Sequence, residues 1–236
     1  MRERRRYNVA PAIGLGLAGT AAMGTIVGAW LDLTAVYPLE AAAVCAAIMA
    51  SVVRVAGHQH PYPRFGAANC VTTLRVMLTA LVAGLVGNPG TTPLLWCAIG
   101  SVVLVSVLDG VDGWLARRTR MASAFGARFD METDAALILV LSMLVWQHDK
   151  AGAWVLLCGL MRYGFVATGR VLPWLAQPLR STRRGQTVAV AQYIGLSIAL
   201  APIVPRPLSA IAAAATLAAL VWSFTVDAIW LRSRCQ

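Results

Sequence analysis

Charged side chains are scarce in this chain. They make up 13% of its 236 residues, where a soluble domain carries roughly 25%. With 58% of residues hydrophobic and a mean hydropathy of +0.68, the chain has more apolar surface than soluble cores of this size can hide. That excludes an ordinary soluble domain and leaves a polytopic membrane protein. Cysteine is sparse too. Cys45, Cys70, Cys97, Cys158 and Cys235 are scattered without CxxC spacing, so neither a zinc site nor a disulfide framework is indicated. Most lie in apolar stretches, where cysteine acts as a small hydrophobe. Long-period repeats and low-complexity tails are missing. The net charge of +10 has no soluble basic face to occupy, which argues against nucleic acid as a partner. Arginines meeting anionic membrane lipids account for it.

A membrane-spanning helix needs about 20 apolar residues. On that basis eight segments stand out, at roughly 9–30, 36–53, 69–87, 93–116, 128–147, 152–172, 187–204 and 208–230. The connections between them hold proline, glycine or charge: HQHPYPRFG, GNPGTTP, QHDKAG, QPLRSTRRGQ and VPRPL. The basic N-terminus and the apolar run behind it read as a retained first helix rather than a cleaved signal. With the N-terminus in the cytoplasm and the spans alternating, Arg2, Arg4, Arg5, Arg6, Arg54, Arg64, Arg117, Arg118, Arg120, Arg128, Arg180, Arg183, Arg184, Arg232 and Arg234 fall on or near the cytoplasmic side. Only Lys150 and Arg206 fall in opposite loops, the asymmetry that the positive-inside rule requires. Both termini are therefore expected in the cytoplasm. Trp30, Trp96, Trp146, Trp174, Trp222 and Trp230 lie near span ends, as an interfacial belt would. The expected fold is all-α: a polytopic integral membrane helical bundle in which 1–68 forms two N-terminal transmembrane helices and a linker (about 54–68), and 69–236 forms a six-helix core.

The acidic residues are concentrated. Of ten aspartates and glutamates, five lie between Asp109 and Asp134. At 100° per residue, Asp109, Asp112, Gly113, Ala116 and Arg117 fall within a sector of roughly 140° at the end of the fourth span. Gly126, Asp130 and Asp134, four residues apart, share one face at the start of the fifth. A short cytoplasmic turn joins the two spans, so both aspartate faces can meet. Carboxylates near lipid are costly, up to ~3 kcal/mol each by insertion scales, and divalent metal is the economical counter-charge. Hard oxygen ligands suit Mg²⁺, Mn²⁺ or Ca²⁺, and four carboxylates on two helices suit a pair of ions about 4 Å apart, an arrangement that serves phosphoryl chemistry. Gly113 and Gly126 leave room for a phosphate or base, and Arg117 can pair with a phosphate oxygen. Glu132 points to another face.

This spaced set resembles the signature of the CDP-alcohol phosphotransferase (phosphatidyltransferase) family, D-x2-D-G-x2-A-R-x8-G-x3-D-x3-D, with Asp109, Asp112, Gly113, Ala116, Arg117, Gly126, Asp130 and Asp134 in place. The family favours an Asn-x-x-Thr-x-x-Arg start to the preceding helix, matched by Asn69, Thr72 and Arg75; Ala68 stands where a proline is usual. The resemblance covers about 69–230 and implies a transferase of phospholipid biosynthesis. A CDP-linked lipid, CDP-diacylglycerol first among them, gives its phosphatidyl group to a small alcohol acceptor and CMP leaves. It implies Asp109, Asp112, Asp130 and Asp134 as ligands of two Mg²⁺ or Mn²⁺ ions, Asp134 also as the general base, and Asn69, Thr72, Gly113, Arg117, Ser123 and Gly126 around the CDP group, at the cytoplasmic boundary. Membrane lipids are the other partners, and a homodimer is compatible with the sequence.

Other residues carry weaker signals. Arg162 lies deep in a span and needs a partner; with Arg170 it could meet a phosphate on the acceptor. Arg180, Arg183 and Arg184 read as snorkelling to headgroups. His58 and His60 read as solvated, His148 and Asp149 as surface. Asp227 is expected to pair with Arg232 or Arg234. Two other classes use buried aspartates. An intramembrane prenyltransferase needs a second aspartate-rich segment, which this chain lacks. A cation transporter needs polar groups across the bilayer, whereas these cluster at one end.

Overall fold

The computed structural model describes residues 7–56, 59–60, 62, 64–172, 174 and 183–233. Among them are eight α-helices: α1 (Ala10–Trp30), α2 (Tyr37–Ala56), α3 (Ala67–Ala83), α4 (Thr92–Arg118), α5 (Ala124–Gln147), α6 (Leu157–Val171, entered through a 3₁₀ turn at Ala153–Leu156), α7 (Arg183–Leu200) and α8 (Arg206–Ser233). A two-residue ladder pairs β1 (Tyr7–Asn8) antiparallel to β2 (Gln59–His60), with Tyr7 opposite His60. The all-helical expectation holds, with each expected span on one helix. Four helices, α1, α2 through Arg54, α4 and α8, are long and apolar enough to cross a bilayer. Large apolar side chains stand exposed along them, Leu15, Ile26, Ile211 and Ile229 all above 60%. Such a surface suits lipid rather than water, and this is a membrane protein.

Boundaries moved where local chemistry overrides hydropathy. Helix α5 begins at Ala124, ahead of the apolar run, because the Ser123 hydroxyl accepts the Gly126 N–H at 3.0 Å. Helix α3 stops at Ala83, before Gly84 and a Gly87 with φ of 92°. Helix α4 starts on the Thr91 cap, which accepts Leu94 N–H at 3.4 Å, with Pro93 in its first turn.

The chain forms two compact units, Met1–Leu137 and Ile138–Gln236. In the first, α1 buries Gly16, Thr20, Gly24 and Gly28, four residues apart on one stripe. A β-carbon at Gly24 would stand 2.9 Å from Pro38 Cα, so the stripe lets α2 approach backbone to backbone. Tyr37 is fully buried and donates its hydroxyl to Leu81 O at 2.8 Å, tying α2 to α3. In the second unit the same device recurs. A β-carbon at Gly159 would lie 2.4 Å from Leu139 Cα, and one at Gly195 would lie 2.0 Å from Thr216 Cγ2. Gln192 donates to Thr216 O at 2.6 Å, closing α7 on α8.

Candidate active site: four aspartates around one arginine

The site is built on α3, α4 and the first part of α5, and its residues all lie within the first unit. Helix α4 ends in a Schellman motif: Met121 N–H reaches Ala116 O and Arg120 N–H reaches Arg117 O, with Arg120 at φ 54° in the position glycine usually fills. The reversal brings the C-terminal end of α4 beside the start of α5. Asp109 and Asp112 from α4 then face Asp130 and Asp134 from α5.

Arg75 of α3 stands at the centre. Its Nη1 donates to Asp112 Oδ2 at 2.6 Å and also to Asp130 Oδ1; its Nη2 pairs with Asp134 Oδ1 at 2.5 Å and Asp109 Oδ1 at 2.8 Å. The guanidinium is fully buried, and its Nε has no hydrogen-bond partner among the described residues. The carboxylates are graded: Asp112 is buried, Asp134 about a quarter exposed, and Asp109 and Asp130 each 40% exposed at the side chain. The quartet thus opens on one side. Thr72, one turn before Arg75, lies 3.0 Å from Asp112 Oδ2.

The remaining sequence-selected residues fall around this centre in two groups. A β-carbon at Gly126 would meet Asn69 Oδ1 at 3.2 Å and Ser123 Oγ at 3.4 Å, so these three share one small space. Asn69 is fixed there by its own donation to Phe65 O at 2.6 Å. On the α4 side, the exposed Arg117 folds its guanidinium back over Gly113, 3.3 Å from where a β-carbon would be. Neighbouring Arg118 is occupied differently, 5.1 Å over the Trp114 ring, which leaves Arg117 as the cation beside the glycine.

One oxygen from each of Asp109, Asp112 and Asp130 lies within 4.8 Å of the others. Three hard anionic donors at that spacing can surround one divalent ion of the Mg²⁺ or Mn²⁺ kind. Asp134 stands outside the trio, with its Oδ1 against Arg75.

Comparison with known proteins gives the family. The sequence profile of CDP-alcohol phosphatidyltransferase matches residues 65–226. The chain belongs to this family. It is 29% identical over 107 residues to the CDP-diacylglycerol–glycerol-3-phosphate 3-phosphatidyltransferase of Cereibacter sphaeroides, covering 44% of this chain and 48% of that one. It is also 29% identical over 100 residues to the Bacillus subtilis protein of the same name, covering 42% and 51%. The chain thus spans about half the length of the curated relatives it matches. No solved structure matches it. Helices α1 and α2 precede the family region.

Arg75 is the residue that sequence reasoning passed over: it figured only as the last position of the Asn-x-x-Thr-x-x-Arg match. A signal was present. It is the one ionised side chain in the third apolar stretch, and such a residue must find a counter-charge. One expectation is corrected. Asp227 pairs with Arg184, whose guanidinium also lies 5.8 Å from the Trp222 ring centroid. The first turn of α7 comes alongside the last turns of α8 in their hairpin, so Arg184 reaches Asp227 from the neighbouring helix. That accounts for Arg184 as an ion-pair residue. His58, Arg180, Arg234 and Cys235 lie outside the described residues.

Proposed function

We propose that this chain transfers a phosphatidyl group from a CDP-alcohol, CDP-diacylglycerol in the first instance, to the hydroxyl of a small alcohol, releasing CMP in phospholipid biosynthesis. The convergence of Asp109, Asp112, Asp130 and Asp134 on a single point, open on one side, carries this reading. A lone guanidinium leaves such a quartet strongly negative, which suits cations that grip a diphosphate. Asp109, Asp112 and Asp130 would hold the first ion, and Asp134 would join them for a second; Mg²⁺ or Mn²⁺ there neutralises charge on the diphosphate. Asn69, Thr72, Ser123 and Gly126 on one side, and Gly113 and Arg117 on the other, would receive the CDP group.

The chemistry is a displacement at phosphorus. The acceptor oxygen forms a bond to the phosphorus that carries the lipid alcohol. The bond from that phosphorus to the CMP oxygen breaks, and Asp134 takes the hydroxyl proton. Asp134 suits this role because it stands apart from the closely spaced trio while remaining partly exposed. The arginine distribution favours the cytoplasmic side for the site and both termini, where the water-soluble nucleotide is available while lipid tails stay in the bilayer. The relatives are named for glycerol 3-phosphate, which makes it the first acceptor to try.

The test is labelled CDP-diacylglycerol with purified protein, Mg²⁺ or Mn²⁺, and a panel of glycerol 3-phosphate, serine, inositol and inositol phosphate. CMP release that requires both metal and acceptor supports the reading. Metal flux across proteoliposomes without turnover of any CDP-alcohol would point to a transporter, and consumption of a prenyl diphosphate to a prenyltransferase.

A further inference from the structure

Helices α1 and α2 and the segment after them precede the family region, yet they form the wall on which α5 begins. Phe125 and Phe129, one turn apart on α5, are 6% and 1% exposed. They share one core with Val9, Cys45, Ile48, Met49 and Val52 from the N-terminal segment and with Val76 and Ala80 of α3. The two rings stand 5.9 Å apart, and the crevice around them holds only about 10 Å³, no more than a water's worth. The socket has no slack.

The next turn back is held by the same segment. Tyr62 donates its hydroxyl to Ala122 O at 3.1 Å, one residue before Ser123. Just inside the family region, Gly66 takes Met121, whose Cε lies 3.1 Å from where a β-carbon would stand, and its φ is +86°. Contacts therefore run from residue 121 to residue 129, along the stretch that leads into the aspartates of α5. Phe125 and Phe129 each precede a site residue, Gly126 and Asp130, by one position. On a rigid helix a rotation or slide that shifts the rings shifts the carboxylates with them.

We infer that the N-terminal two-helix segment and its linker are a clamp that sets the rotation and starting point of α5, holding Asp130 and Asp134 in register with Asp109 and Asp112. Tyr62, Phe125 and Phe129 are positioning residues: they touch no substrate and act through the helix. The inference rests on the quartet being the metal and CDP site. It also goes beyond that reading, because it makes residues outside the family region a condition of the site's geometry.

The experiment uses the full chain in detergent or nanodiscs, with Tyr62→Phe and Phe129→Leu. Three readouts are compared with wild type: Mn²⁺ affinity by electron paramagnetic resonance, amide exchange across 122–130, and the global unfolding midpoint. Tyr62→Phe is expected to speed exchange at Gly126 and Ala127 by about threefold to tenfold, the ordinary worth of one hydrogen bond, and to weaken Mn²⁺ by a similar factor. Exchange in α3 and the unfolding midpoint should stay put. Phe129→Leu should weaken Mn²⁺ by more than its loss of global stability explains. Unchanged Mn²⁺ affinity and unchanged 122–130 exchange in both variants would overturn the clamp, as would exchange that rises evenly through the protein. If wild type binds no Mn²⁺, the metal reading of the quartet fails and the exchange comparison alone decides the clamp. If Phe129→Leu does not fold, Tyr62→Phe, which removes a single hydroxyl, carries the test.

Discussion

Two arginines among the described residues are held by aspartate, and they are held differently. Arg184, at the start of α7, meets Asp227 of α8 one to one, and each side chain is 23% exposed. The pair is neutral and half-wet, and it ties two helix ends together. Arg75 is fully buried and meets four carboxylates at once. That centre is short of positive charge by three. Buried ion pairs are ordinary when charges match, since each partner offsets the desolvation of the other. An unmatched acidic excess, converging and open on one side, is a demand for cations from outside the chain. The surplus, rather than the presence of charge, separates the site from the staple.

The largest effects should come from removing members of the surplus. Asp134→Asn keeps shape but cannot accept a proton. Turnover of CDP-diacylglycerol should fall by roughly 10²–10⁴, the range for losing a positioned base, while CDP binding survives in part. A near-wild-type rate would sink the base assignment. Asp112→Ala removes the most buried carboxylate of the trio and should abolish Mn²⁺-dependent nucleotide binding, measured by calorimetry. Retained metal-dependent binding would show that the ion sits elsewhere.

Arg75→Met comes next and bears on stability as much as on turnover. Stripping one partner from a buried ion pair costs about 3–5 kcal/mol, and here four carboxylates lose their only guanidinium among the described residues. The unfolding midpoint in detergent should drop sharply, and added Mn²⁺ should raise it by more in the variant than in wild type, because the ion then takes over the neutralisation. Arg75→Lys should recover only part of the loss, since an ammonium is a point charge without the fork that reaches several carboxylates. Equal metal stabilisation of variant and wild type would mean that arginine and ion do not share the same oxygens.

A third cation sharpens the contrast because carbonyls hold it. Lys150 donates to Ala201 O and Val204 O at 2.8 Å each, just past the C-terminal end of α7, and its own carbonyl accepts from Ser209 of α8 at 2.6 Å. Carbonyls at a helix end carry partial negative charge, so a lysine is favoured there. Nearby His148 is pushed below the ordinary histidine range by burial and by the charge of Lys150. Lys150→Met should lower stability by about 1–2 kcal/mol and leave the KM for CDP-diacylglycerol unchanged. A shift in KM would tie this turn to substrate binding.

Much of this was legible in the sequence, and the reason is periodicity. Spans are set by apolar length and the aspartate faces by the 3.6-residue repeat, so the eight helices and the meeting of Asp109, Asp112, Asp130 and Asp134 could be read before any coordinates. What escaped depends on contacts between residues far apart in the chain. Arg75 is 34 to 59 positions from its four partners, and no local rule joins them. Arg184 is 43 positions from Asp227, whereas Arg232 is close in sequence, so proximity along the chain suggested the wrong partner. The start of α5 was placed late because hydropathy sees only the apolar run and not the Ser123 cap that begins the helix on polar residues.

The smallest effect should come from breaking the balanced pair. At 23% exposure on each side, solvent screens part of the attraction, and Arg184→Met should cost about 1 kcal/mol or less. Part of that is lost packing of the guanidinium on Trp222. Asp227→Asn should cost a similar amount. In the double variant neither charge is left alone, so its stability should match or exceed that of either single variant, giving a coupling free energy that restores what one removal took away. Turnover should stay within about twofold of wild type in all three, because a neutral pair contributes nothing to the acidic surplus. The same cycle cannot be drawn around Arg75, where removing any one aspartate still leaves an excess. Strict additivity at Arg184 and Asp227 would show that the two do not interact, and the contrast between matched and unmatched centres would lose its reference.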